Sequence, residues 1–396
     1  MEDKEIQWIT VNGRHIPLGA GESKEDAIKR AFGDKSGKKQ SKSAKKSNDD
    51  IKNAQISKTQ NEADKLNKES ERSDALKKYT AELKDYGNKA QVNNGQLTFD
   101  GQKVEALSLA DAGEKGDDAL ADNMVNGQLT PERLALHAEI MNRFLGKISP
   151  YAKGEEKVAF FTGGGGASGK GAFSKDMEKY YGMRGRTKDN TAILDPDEIK
   201  KHLAIADGHF TVKNGKIVAD LSGKLAGYYH EESSALAKQL WGTSLKHGYP
   251  VMFDGTATGI GSALKKISQA KSAGYKTSMN FIRADFKTIR ANALKRYENQ
   301  GRFVPVKAVV GAHKAAYEAL QAQLYKYDSI QVWDNTGHNM TLIGKGSGGN
   351  FKITNQSGWN AFKNQAKEFD ISVDEQKRFE DDARAIDKKL GRKSNF

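Results

Sequence analysis

One stretch restricts the fold more than any other. An apolar run, Val158-Ala-Phe-Phe161, leads directly into Thr162-Gly-Gly-Gly-Gly-Ala-Ser-Gly-Lys-Gly171. Gly164-x-x-x-x-Gly169-Lys170 has the spacing of a phosphate-binding loop set between a strand and a helix. Residues without a Cβ let successive backbone N–H groups point inward around an anion. A helix beginning near Gly171 aims its positive end at the same anion. Lys170 adds a mobile point charge for the outer phosphates. The stretch therefore predicts a site for a nucleoside triphosphate, built by Gly164, Gly165, Gly166, Ala167, Ser168, Gly169, Lys170 and Gly171. One position departs from the usual pattern. Gly171 stands where a Ser or Thr hydroxyl would hold Mg2+, so the ion needs another ligand, and Asp254 is the candidate.

The residues around this loop alternate between strand and helix signals. Thr130-Pro-Glu-Arg opens a helix, with a cap, a proline suited to the first turn and an acid at the positive end. Leu134, Ile140, Met141 and Phe144 form its apolar stripe. After the loop, Ala192-Ile-Leu194 and Pro250-Val-Met-Phe-Asp254 read as strands, as do Lys276 to Ile282 and Ser329 to Asp334. Helices fall between them, about Asp197 to Ala204, Glu231 to His247, Ser262 to Ala273, Asp285 to Glu298 and Gly311 to Tyr325. Phe210 to Val218 is a hairpin signal around Asn214-Gly215. Such alternation implies right-handed crossovers and a parallel sheet. The expected fold class is α/β, a P-loop kinase-type parallel sheet with helices on both faces, preceded by a small β-hairpin element and a disordered basic linker. The expected domains are the hairpin element at 1–33, a polar Lys/Ser-rich linker with one hairpin at 34–115, a P-loop domain at 116–345 and a helical tail at 346–396. The charged stretch Asp374–Lys393 reads as a peripheral helix.

The formal charge is +13. Much of it sits in Lys38-Lys39, Lys42 and Lys45-Lys46, in a stretch with almost no large apolar residue. That stretch cannot bury enough surface to offset its ordering entropy. It reads as a solvated spacer, with weak nucleic-acid contact through residues 34–73 as the sharper alternative. Ile6 to Pro17 loosely resembles short segments of bacteriophage virion proteins, so virion association is an expectation alongside a cytoplasmic one. There is no cysteine, which excludes disulfides and thiolate metal sites. No apolar run is long enough to span a membrane.

In open parallel sheets, ligands bind beyond the carboxyl ends of the strands. At those ends stand the phosphate loop, Asp195-Pro-Asp197 and Asp254-Gly-Thr256, with Arg290, Arg296 and Arg302 in and after the next helix. Phosphoryl transfer needs a carboxylate to take the proton of the attacking hydroxyl, an acid for the metal, and arginines for the spreading charge. Asp197 is the expected base, with capping of its own helix as the alternative. Asp195 reads as a turn or supporting acid. Arg290 and Arg296 are separated by about 600° of helical rotation, which makes Arg296 and Arg302 the preferred pair.

Read in order, these pieces resemble the zeta toxin family of P-loop kinases. The matching segments are Phe-Phe-Thr-Gly-Gly-Gly-Gly-Ala-Ser-Gly-Lys170, Ile-Leu-Asp-Pro-Asp197-Glu-Ile-Lys, His230-Glu-Glu-Ser-Ser, Gly-Tyr-Pro-Val-Met-Phe-Asp-Gly-Thr256, Lys-Arg296-Tyr-Glu, Gly-Arg302-Phe-Val-Pro and Val-Trp-Asp334-Asn-Thr. The resemblance covers residues 128–345. It implies ATP- or GTP-dependent phosphorylation of UDP-N-acetylglucosamine, with Lys170 on the phosphates and Asp197 as base. It further implies Thr256 on the nucleotide sugar, and Arg296 and Arg302 at the transition state. Asp195, Thr256, Glu231 and Arg290 are the substrate-binding candidates. Family toxins are held by an antitoxin protein, which is the expected partner. Where the family places a substrate-binding glutamate, this chain carries Lys238 or Gln239; Glu231 or Glu232 is the nearest substitute.

Overall fold

The computed structural model describes residues 8–11, 14–17, several between 22 and 30, then 64–113, 118–183, 185–221, 224–300 and 304–391. Two compact units divide the chain, Met1–Glu69 and Ser70–Phe396. In the first, Trp8–Val11 and Arg14–Pro17 pair antiparallel, with Val11 opposite Arg14, as the Asn12-Gly13 signal predicts. Residues 34–63 of the basic linker lie outside the described residues.

A seven-stranded sheet organises the second unit. Its strands are β1 (Val158–Gly163), β2 (Ala192–Leu194), β3 (Val251–Phe253), β4 (Lys276–Arg283), β5 (Ser329–Asp334), β6 (Thr341–Ser347) and β7 (Asn350–Ile353). They lie in the order β2-β3-β1-β4-β5-β6-β7. The first five are mutually parallel, and β6 and β7 add antiparallel at one edge. β1 is buried at every position, as a central strand covered on both faces must be. Its successive side chains enter different cores. Ala159 and Phe161 join Leu236, Leu240 and Trp241 on one side, while Val158 and Phe160 meet Phe173, Met177 and Tyr181 on the other. Each buried phenylalanine contributes roughly 1.5–3 kcal/mol.

Beside the short helices Ala119–Asp122 and Leu225–Tyr228, the described helices include α1 (Pro131–Leu145), α2 (Gly171–Lys175), α3 (Met177–Tyr181), α4 (Pro196–Ala206), α5 (His230–Lys246), α6 (Ile260–Ser272), α7 (Phe286–Gln300), α8 (Val306–Lys314), α9 (Ala316–Gln323), α10 (Gln356–Lys363), α11 (Gln365–Glu368) and α12 (Val373–Lys389). Thr130 caps α1 by accepting from the Arg133 amide at 3.2 Å. The single helix expected after the loop is broken. Asp176 takes a non-helical conformation and caps α3, accepting from the Lys179 amide at 3.0 Å.

Three segments differ from the sequence reading. Ala90–Asn93, Gln96–Phe99 and Gln102–Lys103 form a three-stranded antiparallel sheet whose Leu97 and Phe99 enter the main core. Asn142 of α1 fastens it, bonding both the amide and the carbonyl of Ala90 at 2.7 and 2.8 Å. The sequence reading began the compact domain at 116; the compact unit begins at Ser70. At the other end, β6 closes the expected P-loop span and pairs with β7, a strand at the start of the expected helical tail. Gly344 leaves room there for the Phe351 ring, which a Cβ would approach to 2.4 Å. Finally, α12 is not peripheral. Phe379, Ala383 and Asp387 recur every fourth residue and are buried, and Tyr297 of α7 donates to Asp387 at 2.5 Å. So narrow a stripe is concealed in the sequence by the charges around it.

Candidate active site at the phosphate loop

Between β1 and α2 the backbone takes positive φ at Gly164, Ala167 and Gly169, at 115°, 64° and 104°. Packing as well as conformation demands the glycines. A Cβ on Gly164 would lie 2.1 Å from the Ile282 carbonyl oxygen, and one on Gly165 would lie 2.4 Å from Nε2 of His313. One on Gly169 would meet Nδ2 of Asn335 at 2.5 Å. By contrast, nothing lies within 4 Å of a Cβ placed on Gly166 or Gly171. The loop is tied to the next strand end by the Gly164 amide, which donates to the Thr256 carbonyl at 2.8 Å.

Lys170 folds back over the loop, donating from Nζ to the carbonyls of Gly164 and Gly165 at 2.9 and 3.1 Å. Desolvation lowers its pKa; Asp254 and Asp195 oppose that shift, Arg296 reinforces it, and Asp197 opposes it more weakly. The field at one ammonium therefore registers three carboxylates and a guanidinium.

Strand register explains how the acids meet. Phe161, Phe253 and Leu194 stand side by side on β1, β3 and β2, so the residues that follow them, Thr162, Asp254 and Asp195, share one rim. The Thr162 hydroxyl donates to Oδ1 of Asp254 at 2.6 Å. Asp195 is the helix cap, accepting from the Asp197 amide at 2.8 Å. Burial, then the Asp254 and Asp197 carboxylates, push Asp195 up to about 7. With capping done by Asp195, the Asp197 carboxylate is partly exposed in the first turn of α4, with Nζ of Lys200 at 3.4 Å. The same ammonium lies 3.4 Å from Nδ1 of His230, at the start of α5. Burial, then Lys200, holds the His230 imidazole below its ordinary range.

Other sequence candidates lie elsewhere. Arg290 pairs with Asp382 of α12. Glu231 occupies the first turn of α5, beside Gly113. Glu232 is fully buried, taking Arg133 at 2.6 and 2.7 Å and His137 at 2.7 Å. Thr256 reaches the loop through its carbonyl, while its hydroxyl shares a 2.8 Å hydrogen bond with Thr258. Lys238 and Gln239 line a cavity of about 640 Å³ with Lys103, Val104 and Ser108, and Gln239 donates to the Glu105 carbonyl at 2.6 Å. Arg302 lies outside the described residues.

The sequence reading missed Lys200, His230, Asn292, His313 and Asn335 as site residues. Asn335 was within reach of the strand-end rule, because it directly follows Asp334 of β5. His313 and Asn292 lie inside α8 and α7, with no local signal. A magnesium ion carried in by a triphosphate keeps phosphate and water ligands and needs few donors from the protein. Among the described residues, no group of three or more acids or histidines is placed to hold a metal ion.

The solved structure of AvrRxo1-ORF1:AvrRxo1-ORF2 with sulphate ions is 18% identical to this chain, covering 68% of this chain and 88% of that one at a TM-score of 0.50. The AvrRxo1-ORF1:-ORF2 structure with ATP gives 17% identity, the same coverage and a TM-score of 0.50. A structure of the PezAT toxin-antitoxin system of Streptococcus pneumoniae is 16% identical over 65% of this chain and 95% of that chain, with a TM-score of 0.40. At these identities the AvrRxo1-ORF1 likeness speaks for the fold alone. No curated protein matches in sequence. The zeta toxin family model matches residues 142–343, more than half of the chain, from the last turn of α1 to the start of β6, a span that carries the loop, the acids and Arg296. The chain belongs to the zeta toxin family, whose members are P-loop kinases.

Proposed function

We propose that the protein transfers the γ-phosphate of ATP or GTP to a hydroxyl of the nucleotide sugar UDP-N-acetylglucosamine, starving bacterial cell-wall synthesis. The observation that carries this reading is the shared strand-end rim, where Lys170 folds over the phosphate loop, Asp254 and Asp195 end adjacent parallel strands, and Asp197 lies in the first turn of the helix that follows. The loop amides cradle the phosphates, and Lys170 leaves the loop carbonyls to reach the outer ones. Asp197 accepts the proton of the attacking hydroxyl as the oxygen forms its bond to phosphorus and the bond to the β-phosphate oxygen breaks. Nζ of Lys200 lies 3.4 Å from the Asp197 carboxylate and steadies it at the start of α4. Arg296, joined by Arg302, neutralises the charge on the transferred group. Asp254 is the residue that would hold Mg2+, which would supply charge neutralisation to the phosphates. Gly171 supplies no hydroxyl for that ion.

A cavity of about 620 Å³ opens along the face of α4 that carries Glu198, Lys201 and His202, closed on its other side by Tyr79 and the hairpin strand Lys216–Ala219. That volume is within the range of small-molecule sites. A nucleotide or an RNA end is the second acceptor reading. It is favoured by Lys238 and Gln239, which face a separate cavity and supply no carboxylate for a sugar nucleotide. An antitoxin partner is proposed from family membership.

Incubation with γ-labelled ATP and a panel of nucleotide sugars, nucleotides and RNA ends tests the assignment. Labelled UDP-N-acetylglucosamine is the expected product. Label passing only to a nucleotide or RNA would overturn the sugar acceptor, and label remaining on ATP with every acceptor would overturn the reaction.

A further inference from the structure

Backbone accounting at the phosphate loop shows who sets its shape. The carbonyls of Gly164 and Gly165 take Lys170. The next three carbonyls are each taken from outside by a different side chain. Nε2 of His313 lies 2.9 Å from the Gly166 carbonyl oxygen, Nδ2 of Asn292 donates to Ala167 at 2.9 Å, and Nδ2 of Asn335 donates to Ser168 at 2.9 Å. These donors come from α8, α7 and the turn after β5. Among the described residues, no acceptor takes the amides of residues 165–169. Carbonyls turned outward leave amides turned inward, which is the arrangement an anion needs.

We propose that His313, Asn292 and Asn335 are positioning residues that hold the phosphate loop in its anion-binding conformation by capturing three consecutive carbonyls. The inference rests on the nucleotide-binding reading and deepens it.

Their own surroundings support the assignment. Burial holds His313 near pKa 4, so at neutral pH its ring is uncharged and offers one N–H. Its ring stacks on Phe369 at 4.6 Å, and its carbonyl accepts from Nε2 of Gln365 at 2.9 Å. Gln365 in turn takes Nε of Arg283 at 3.1 Å. Phe369 and Gln365 lie beyond the matched family span, so the C-terminal segment supports the loop through one imidazole. Asn292 lies one helical turn before Arg296, on the same face of α7. It therefore links the loop to the arginine that meets the transferred phosphate.

The experiment titrates ATP into full-length wild type and into His313→Leu, Asn335→Leu and Asn292→Leu, with His313→Gln as the variant that keeps an N–H at similar reach. Melting of each protein without nucleotide is measured in parallel, and KM and kcat for ATP are measured with whichever acceptor is phosphorylated. Each leucine variant is expected to weaken ATP binding by about fivefold to tenfold, one charge-oriented hydrogen bond each. His313→Gln is expected to recover most of that loss. His313→Leu and Asn335→Leu should raise KM more than they lower kcat, while Asn292→Leu should lower kcat as well. Leucine variants that melt normally and bind ATP like wild type would overturn the proposal, as would a loss in His313→Leu that His313→Gln does not restore. Asn292 is only partly buried, so its variant tests the idea even if the buried positions do not tolerate leucine. Absence of ATP binding by wild type would instead sink the nucleotide reading itself.

Discussion

At the residue scale, Asp197 and Asp195 are neighbours with different duties, and each gives a prediction. Asp197 keeps its carboxylate partly exposed beside Lys200, so Asp197→Asn should lower phosphate transfer by about 100-fold to 10,000-fold with unchanged melting. Transfer kinetics with labelled ATP check this. Asp195 caps α4, but burial and the Asp254 and Asp197 carboxylates push it up to about 7, against an ordinary 3.8. Between those values the folded state holds the extra proton, so stability falls as pH rises through roughly 4 to 7. Asparagine accepts the same capping bond without charge. Asp195→Asn should therefore stabilise the protein by on the order of 2 kcal/mol at pH 8 and by little at pH 4, in urea unfolding at the two pH values. Gly165→Ala should disrupt the loop by driving a methyl into His313, whereas Gly171→Ser, with open space around it, should leave stability unchanged. The sequence made the loop, Asp195 and Asp254 readable because all lie at strand ends. His313 and Asn292 stayed hidden because their role depends on which helices pass behind the loop, and only tertiary packing decides that.

Among the elements, α1, α4 and α5 are joined by a buried ionic knot. Arg133 near the start of α1 bonds Asp207, just past α4, at 2.7 Å and Glu232 of α5 at 2.6 and 2.7 Å. The knot fixes the two helices that carry Asp197 and His230. Arg133→Ala leaves Glu232 buried without its cation and should cost about 3–5 kcal/mol in chemical denaturation. A second element acts on α7, where Tyr297, Glu298 and Arg290 are bound by Asp387, Lys389 and Asp382 of α12. Phe379→Ala, which empties a fully buried site there, should cost about 3–5 kcal/mol. It should also lower kcat more than it raises the KM for ATP, because α7 carries Arg296. Caps and apolar periodicity made most of these helices legible. The break at Asp176 was not, because it replaces one good helix signal by a local cap of comparable strength. The α12 stripe was too narrow to stand out among its charges.

For the whole molecule, the parallel sheet was readable from alternation, but its strand order was not. Order is a matter of long-range pairing, and here it sets β1 between β3 and β4, placing Asp254 next to the phosphate loop. The strands within 90–103 were harder still, since their burial depends on Asn142, some fifty residues away. No helix among the described residues is long and apolar enough to cross a membrane. Every group assigned to the site belongs to the Ser70–Phe396 unit. A protein lacking residues 1–63 should therefore transfer phosphate within a factor of about two of the full chain, while any salt-sensitive nucleic-acid binding is lost.

The most direct test is calorimetric titration of ATP and GTP, with and without Mg2+, into the wild type and Lys170→Ala. Saturable uptake of at least one triphosphate by the wild type, abolished or severely weakened in Lys170→Ala, is the expected result. No uptake by the wild type under any of these conditions, or equal uptake by both proteins, would contradict the account.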